Sequence, residues 1–250
     1  MAVLALVAGC QGGAKAKEKV TVTTLKEGTS KRIAEKGDHC WVLYTGKLAN
    51  GTQIDTNEDD PKVKEPFPVT IGAMGAIAGF SETLKGMKVG QRVKTVIPPS
   101  LAYGETGNPP NVPPNSTLTF EIELIGLVKA NETNDYFFED TKVGSGATPK
   151  DGDKVAVKYK MTYMNGKLVD DTSLRGNGAP ATFILGQRQP SATQNKAIPG
   201  IDDAVRTMKV GGKRTLVLPP NAAFGYAGTL FVKGTQMLKV DIELVSVNGA

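Results

Sequence analysis

The histidine and cysteine count limits the chemistry open to this chain before any fold is considered. His39 is its single histidine, and Cys10 and Cys40 are its two cysteines, too few for a metal cluster or for a Ser-His or Cys-His nucleophile pair. An enzyme built on this sequence works without a histidine base, a metal or another cofactor. Cys40 opens the apolar, strand-like run Cys40-Trp41-Val42-Leu43 and reads as a small buried hydrophobe, not as a reactive thiol or the partner of Cys10. Asp59-Asp60 and Asp202-Asp203 look like carboxylate pairs, but neighbouring acids on a loop and at a helix start read as solvated, and no glycosidase geometry follows. Gly72, Gly75 and Gly79 have neither the spacing nor the parallel βαβ setting of a dinucleotide-binding turn. What remains is a scatter of inward Tyr and Phe residues, each of which, taken singly, reads as core.

The elements that would position such residues follow from an internal repeat. Tyr44 and Asp55 recur as Tyr159 and Asp170 at one common offset. Met87-Lys88-Val89-Gly90 and Pro98-Pro99 recur as Met208-Lys209-Val210-Gly211 and Pro219-Pro220 at an offset larger by six. The second copy therefore carries an insertion, placed around Gln187 to Ala197. Two homologous domains are expected, over residues 20–130 and 131–250, with residues 1–19 as a leader and tether. Within each copy the dominant period is two: Leu118, Phe120, Ile122 and Leu124 alternate with polar residues, as do Val155, Val157, Tyr159 and Met161, which is the pattern of a strand with one wet face. Phe80, Leu84 and Met87, like Ile201, Val205 and Met208, fall at helical spacing. Asp202 and Asp203 stand in the first turn of the second helix, where its dipole favours acids. The expected fold class is α+β, an antiparallel sheet on one short helix, twice over.

With these elements in place, Tyr44-Thr45-Gly46, Asn50-Gly51 with Asp55, Pro66-Phe67, Ile77-Ala78-Gly79-Phe80, Val89-Gly90-Gln91-Arg92 and Ala102-Tyr103-Gly104, in this order, closely resemble FKBP-type peptidylprolyl isomerases. The likeness covers about residues 20 to 128 and, more loosely, 136 to 247. It implies an antiparallel half-barrel wrapped on a short helix, rotation about X-Pro bonds, proline-containing polypeptides as substrates and macrolides as possible inhibitors. Carried over by position, it makes Tyr44, Asp55 and Tyr103 the catalytic candidates. Tyr103 would donate a hydrogen bond to the substrate carbonyl, and Asp55 would act electrostatically on the twisted carbonyl. Ile54, Phe67, Ala76, Ile77, Phe80 and Phe120 match positions lining the proline site, while Asn108, Asn111 and Val112 match its rim. Two positions depart from the family pattern: Ile54 replaces an aromatic, and Phe80 replaces the usual Trp, which keeps an apolar ring but loses an indole donor.

The second copy is expected to hold a vestigial pocket of Tyr159, Asp170, Phe183, Ile198, Ile201 and Phe224. Ala181 stands where Phe67 does, Val240 where Phe120 does, and Phe224, which cannot donate a hydrogen bond, where Tyr103 does. Weak or absent turnover is expected there, with peptide binding or bracing as its role, and a non-catalytic chaperone with two such surfaces is the alternative for the whole chain. Val7-Ala8-Gly9-Cys10 resembles a bacterial lipobox, which implies lipidation at Cys10 and an exported lipoprotein on the periplasmic side or in the outer membrane; the other reading is an apolar N-terminus on a cytoplasmic protein. The net charge of +5 is spread over interleaved Lys and Glu, with no basic run to track nucleic acid. A monomer is expected.

Overall fold

The computed structural model describes residues 18–58, 65–132, 136–188, 195–225, 232 and 236–249. Cys10 and the lipobox, Asp59-Asp60 and most of the loop following Gly225 lie outside them. The first sheet contains β1 (Thr21–Lys26), β2 (His39–Leu48), β3 (Gln53–Thr56), β4 (Phe67–Thr70), β5 (Arg92–Ile97) and β6 (Leu118–Val128), in the order β1-β5-β6-β2-β3 with β4 also on β2. One helix, α1 (Ala78–Leu84), packs on it. The second sheet repeats this plan with β7 (Phe137–Lys142), β8 (Lys154–Tyr163), β9 (Leu168–Asp171), β10 (Ala181–Arg188), β12 (Lys213–Leu218) and β13 (Leu238–Val247), and packs on α2 (Pro199–Arg206). Its extra strand β11 (Asn195–Ala197) falls in the inserted segment and pairs parallel to β10. All other pairings are antiparallel.

The two-residue period decides which side chains enter each core. Leu118, Phe120, Ile122 and Leu124 are buried while Thr119, Glu121 and Glu123 are only half-buried. A bulge in β6 between the Trp41 and Val42 registers then turns Gly126 toward the second domain. Helical spacing overreached the true helix end in each copy. Both helices are shorter than the apolar spacing suggested: Met87 and Met208 are buried but lie past Leu84 and Arg206, where the chain has already left the helix. Gly86, at φ +84°, makes that exit in the first copy. Asp202 is not solvated as expected. Its carboxylate is fully buried, accepting from the Gly186 N–H at 2.7 Å and from Arg206 at 2.8 Å, so it pins the end of β10 to α2.

The two domains meet in an apolar seam. Phe137, Val217 and Met237 from the second domain join the first core beside Trp41. A Cβ on Gly126 would stand 3.2 Å from Trp41 and 3.4 Å from Phe137, so the bare backbone lets the two domains close on each other. Arg32 seals the edge, its guanidinium 5.2 Å from the Phe138 ring centre and 5.7 Å from that of Phe137, while pairing with Glu132 at 2.8 Å.

Asp38 ties the entry of β2 to the exit of β6. Its buried carboxylate accepts backbone N–H bonds from Glu35 at 2.8 Å and Ala130 at 3.0 Å, and the Lys129 ammonium lies 2.8 Å away. Burial alone would raise its pKa, but the lysine and the two backbone donors outweigh it and hold Asp38 below the ordinary carboxylate range. A lowered folded-state pKa contributes stability that is present above the unfolded value of about 3.9 and is lost as pH falls through the folded value. Acid titration monitored by tryptophan fluorescence should therefore show a shallower loss of stability below about pH 4 for Asp38→Asn than for the unchanged chain, from a lower starting point. Equal slopes would mean that other carboxylates carry the acid limb.

Cys40 is fully buried, and burial pushes its thiol up to about 12. Thiolate is the reactive form, so the folded chain should leave Cys40 unlabelled by a neutral-pH maleimide that modifies it readily in denaturant. Labelling at equal rates would contradict the core assignment.

Candidate active site

The first domain opens one cleft of about 340 Å³ lined by Tyr44, Asp55, Phe67, Gly75, Ala76, Ile77, Phe80, Tyr103 and Phe120. Five elements converge on it. Strand β2 supplies Tyr44, and the β2–β3 register, Gly46 opposite Asp55, carries the carboxylate back beside the phenol. The Tyr44 hydroxyl donates to Asp55 Oδ2 at 2.7 Å. Strand β4 supplies Phe67, the turn into α1 supplies Ala76 and Ile77, and α1 itself supplies Phe80. Phe120 arrives from β6, whose register sets it opposite Gly46.

The aromatic walls pack edge to face around Tyr44, whose ring centre lies 5.6 Å from Phe80 and 5.9 Å from Phe67; Phe80 and Phe120 stand 5.5 Å apart at 87°. Such offsets set positive ring edges against negative faces and stiffen the wall. Two glycines make the packing possible. A Cβ on Gly46 would overlap the edge of the Phe120 ring, and one on Gly79 would overlap Ile97. Gly46→Ala should therefore displace Phe120 into the cleft and weaken binding of a proline peptide by about tenfold, roughly the 1–3 kcal/mol cost of overpacking, while melting shows the domain still folded. Unchanged peptide affinity would show that Phe120 yields without narrowing the cleft.

Electrostatically the site is a single carboxylate at the edge of an apolar trough. Burial, then the bond to Asp55 and its charge, push the Tyr44 phenol well above its ordinary pKa, so it remains a donor and orients the carboxylate. Tyr103 reaches over the mouth from the loop after Ile97, a third of its surface exposed. Its carbonyl is pinned by Gly107 N–H at 3.2 Å and by the Thr106 hydroxyl.

Of the residues expected from the sequence, Tyr44, Asp55, Phe67, Ala76, Ile77, Phe80, Tyr103 and Phe120 are brought together. Four others are not. Ile54 alternates with Asp55 along β3 and is half-buried against the core instead of lining the cleft. Val112 is buried in the first core, held by the paired backbone bonds with Asn108, while Asn108 and Asn111 are exposed on the turn between. Gly75, set aside in the sequence with the glycine-turn pattern, does line the cleft; its φ of +119° suits glycine, and its missing side chain keeps the mouth open.

In the second domain Tyr159 donates to Asp170 at 2.7 Å, the same pair again. Here Arg175 also donates to the Tyr159 oxygen at 3.0 Å and binds the Asp170 carboxylate. Arg175 escaped the sequence reading, although a cation five residues past a site carboxylate was a usable signal. Register sets Ala181 opposite Val157 as Phe67 is opposite Val42, so a methyl replaces one aromatic wall. Phe183 then corresponds to Val69 and is core, as are Ile198 and Ile201, each about 5% exposed or less. Phe224 is half-buried against that core and Val240 wholly within it. Of the expected set, Tyr159 and Asp170 pair, and Phe183, Ile198 and Ile201 belong to the second core, as the equally buried Phe80 and Phe120 belong to the first.

A doubled antiparallel sheet and helix, each with a tyrosine–aspartate pair at the same register, defines a tandem proline-isomerase fold. The family model for FKBP-type peptidyl-prolyl cis-trans isomerases matches residues 30–125 and again 145–245, and the chain belongs to that family. Among its relatives, the peptidyl-prolyl cis-trans isomerase FKBP4 of Rattus norvegicus is 32% identical over 223 residues, spanning 86% of this chain and 44% of its own length. The corresponding FKBP10 of Homo sapiens is 32% identical over 219 residues, covering 86% of this chain and 35% of its own. The chain thus spans less than half the length of these relatives. The crystal structure of the three FKBP domains of wheat FKBP73 aligns at 24% identity with a TM-score of 0.46, over 91% of this chain and 94% of that one.

Proposed function

We infer that this chain catalyses cis-trans rotation about X-Pro peptide bonds, and that the cleft of its first domain does the work. The observation that carries this reading is the Tyr44–Asp55 pair set at the edge of an aromatic trough beneath Tyr103. Rotation about an X-Pro bond breaks amide resonance against a barrier of about 18–20 kcal/mol without making or cutting a covalent bond. The planar amide is the more charge-separated form, so an apolar trough that excludes water disfavours it relative to the twisted one. Phe67, Phe80 and Phe120 provide that environment, with Ile77 closing one end. The Tyr103 hydroxyl holds the substrate chain by donating to a carbonyl. The Asp55 carboxylate, oriented in advance by Tyr44, acts on the twisted carbonyl without reorganising during the reaction.

In this reading the substrates are proline-containing polypeptides, the chain acts as a monomer, and macrolides that mimic the twisted amide compete for the trough. The second domain braces the first through the seam at Phe137 and Arg32, and its thinned wall supports little turnover of its own. The Val7-Ala8-Gly9-Cys10 motif supports export with a lipid anchor on Cys10, so that the clients are exported proteins in the course of folding. The test is acceleration of isomerisation in a short X-Pro peptide by the full chain. Catalysis that a macrolide abolishes supports the reading. Failure to accelerate, with suppression of aggregation of an unfolded client, would replace it with a non-catalytic chaperone.

A further inference from the structure

The outer face of the second sheet holds a second cleft, of about 490 Å³, floored by β8, β12 and β13 and walled by the segment from Asp171 to Gly178. The first domain shows what the same place looks like when filled. There Glu58 folds over the sheet and accepts two bonds from Arg92, at 2.7 and 2.9 Å, with Glu121 at 3.1 Å on the same guanidinium. Beneath it Leu43 is buried.

The repeat fixes the counterparts. The Tyr44 N–H donates to Asn57, and the Tyr159 N–H to Thr172, so the residue after each, Glu58 and Ser173, occupies the same place. Arg92 and Lys213 correspond through their pairing with Glu123 and Glu243, and so do Leu43 and Lys158. The second domain has therefore lost the carboxylate that covers this face and gained a lysine beneath it. Its own acids are engaged: Glu243 with Lys213 at 3.3 Å, Asp241 with the Thr215 hydroxyl at 2.6 Å, and Asp171 with the Ser173 N–H at 2.8 Å. Among the described residues no acid pairs with Lys158, which lines the cleft.

We propose that this cleft binds an acidic segment of another polypeptide, one of whose carboxylates takes the place that Glu58 holds in the first domain, between Lys158 and Lys213. Charge-assisted bonds of this kind give orientation and partner choice, and weaken with salt where they are part-exposed. The site is separate from the proline cleft, so its occupancy does not depend on turnover.

The test uses the full chain and a blocked peptide of three glutamates flanked by glycines, titrated at low salt and followed by backbone amide shifts. Shifts confined to β8, β12 and the Asp171–Gly178 segment, lost with the glutamine version of the peptide, are expected. Lys158→Gln should weaken binding about threefold, the worth of one exposed ion pair, and Ser173→Glu, which restores the internal carboxylate, should weaken it at least as much. Equal binding of the glutamate and glutamine peptides, shifts elsewhere, or undiminished binding by Ser173→Glu would overturn the proposal. Inorganic phosphate, run as a separate probe, would overturn the peptide assignment if it bound these residues while the peptide did not.

Discussion

Asp55→Ala in the full chain is expected to lower kcat/KM for an X-Pro peptide by about tenfold, the low end of what a charge-assisted interaction contributes because the cleft is open on one side. The loss should fall on kcat with KM little changed, since Asp55 sits at the rim, where it meets the twisted carbonyl more than the bound ground state. Tyr103→Phe removes one partly exposed donor, and about fivefold is expected, the worth of a neutral hydrogen bond of about 1 kcal/mol. Neither change should disturb folding: Tyr103 is a third exposed, and among the described residues the Asp55 side chain bonds to Tyr44 alone. In the second domain, Asp170→Ala, the counterpart of Asp55→Ala, and Tyr159→Phe, at the position of Tyr44, should leave the rate within experimental error, because the trough beside that pair has lost one aromatic wall at Ala181 and has Phe224 in place of Tyr103. A double Asp55→Ala, Tyr103→Phe variant with full turnover would sink the site assignment, and equal losses in both domains would mean that the second copy is active.

The largest stability effect should come from Arg214→Ala. Arg214 is 3% exposed and stands where the first copy has the buried Val93, since each faces its central-strand isoleucine, Ile242 or Ile122. Its guanidinium makes two bonds to Asp140, at 2.7 and 3.0 Å, and two more to the Ala204 carbonyl and the Thr207 hydroxyl, at 2.8 and 2.7 Å, while lying 4.5 Å from the Phe138 ring centre. Removing it strands the end of α2 as well as the Asp140 charge. Breaking a buried pair costs about 3–5 kcal/mol, and the partial exposure of Asp140 places the expected loss near the lower figure. The repeat also supplies the rescue. Thr24 is the counterpart of Asp140, facing Val93 as Asp140 faces Arg214, so Arg214→Val combined with Asp140→Thr should recover most of the stability lost by Arg214→Val alone. Denaturant unfolding measures both. A double variant no better than the single one would show that the bonds to Ala204 and Thr207, and not the stranded carboxylate, carry the cost.

The alternation in β6 and β8 and the recurrence of Tyr44, Asp55 and the Met-Lys-Val-Gly turn made the doubled sheet readable from residue order, because a period of two maps directly onto the faces of a strand. The ordered motifs from Tyr44 to Tyr103 likewise located most of the cleft. The errors share a cause. Met87 and Met208 carried helical spacing past the true helix ends because a buried loop residue and a helical one look alike in hydropathy. Asp202 read as solvated because nothing near it in sequence announces Gly186 and Arg206 as its partners. Val112 reads as rim but lies in the core, because its bridge to Asn108 closes the loop with the side chain turned inward, and Phe183 reads as pocket but packs inside, since residues two apart on a strand share a face yet differ in depth.

By itself, the sequence determined that this protein is a tandem pair of α+β domains, since that rests on a repeat and a period of two, while the aromatic cleft and its carboxylate were implied by the likeness of the ordered motifs to FKBP-type isomerases. Only the tertiary structure decided that Arg214 replaces a core valine, that Arg32 and Gly126 join the domains, and that Ser173 leaves open a cleft which Glu58 fills in the first copy. Each of these depends on contacts between residues distant along the chain, whose energy is set by burial and by the partner that burial provides.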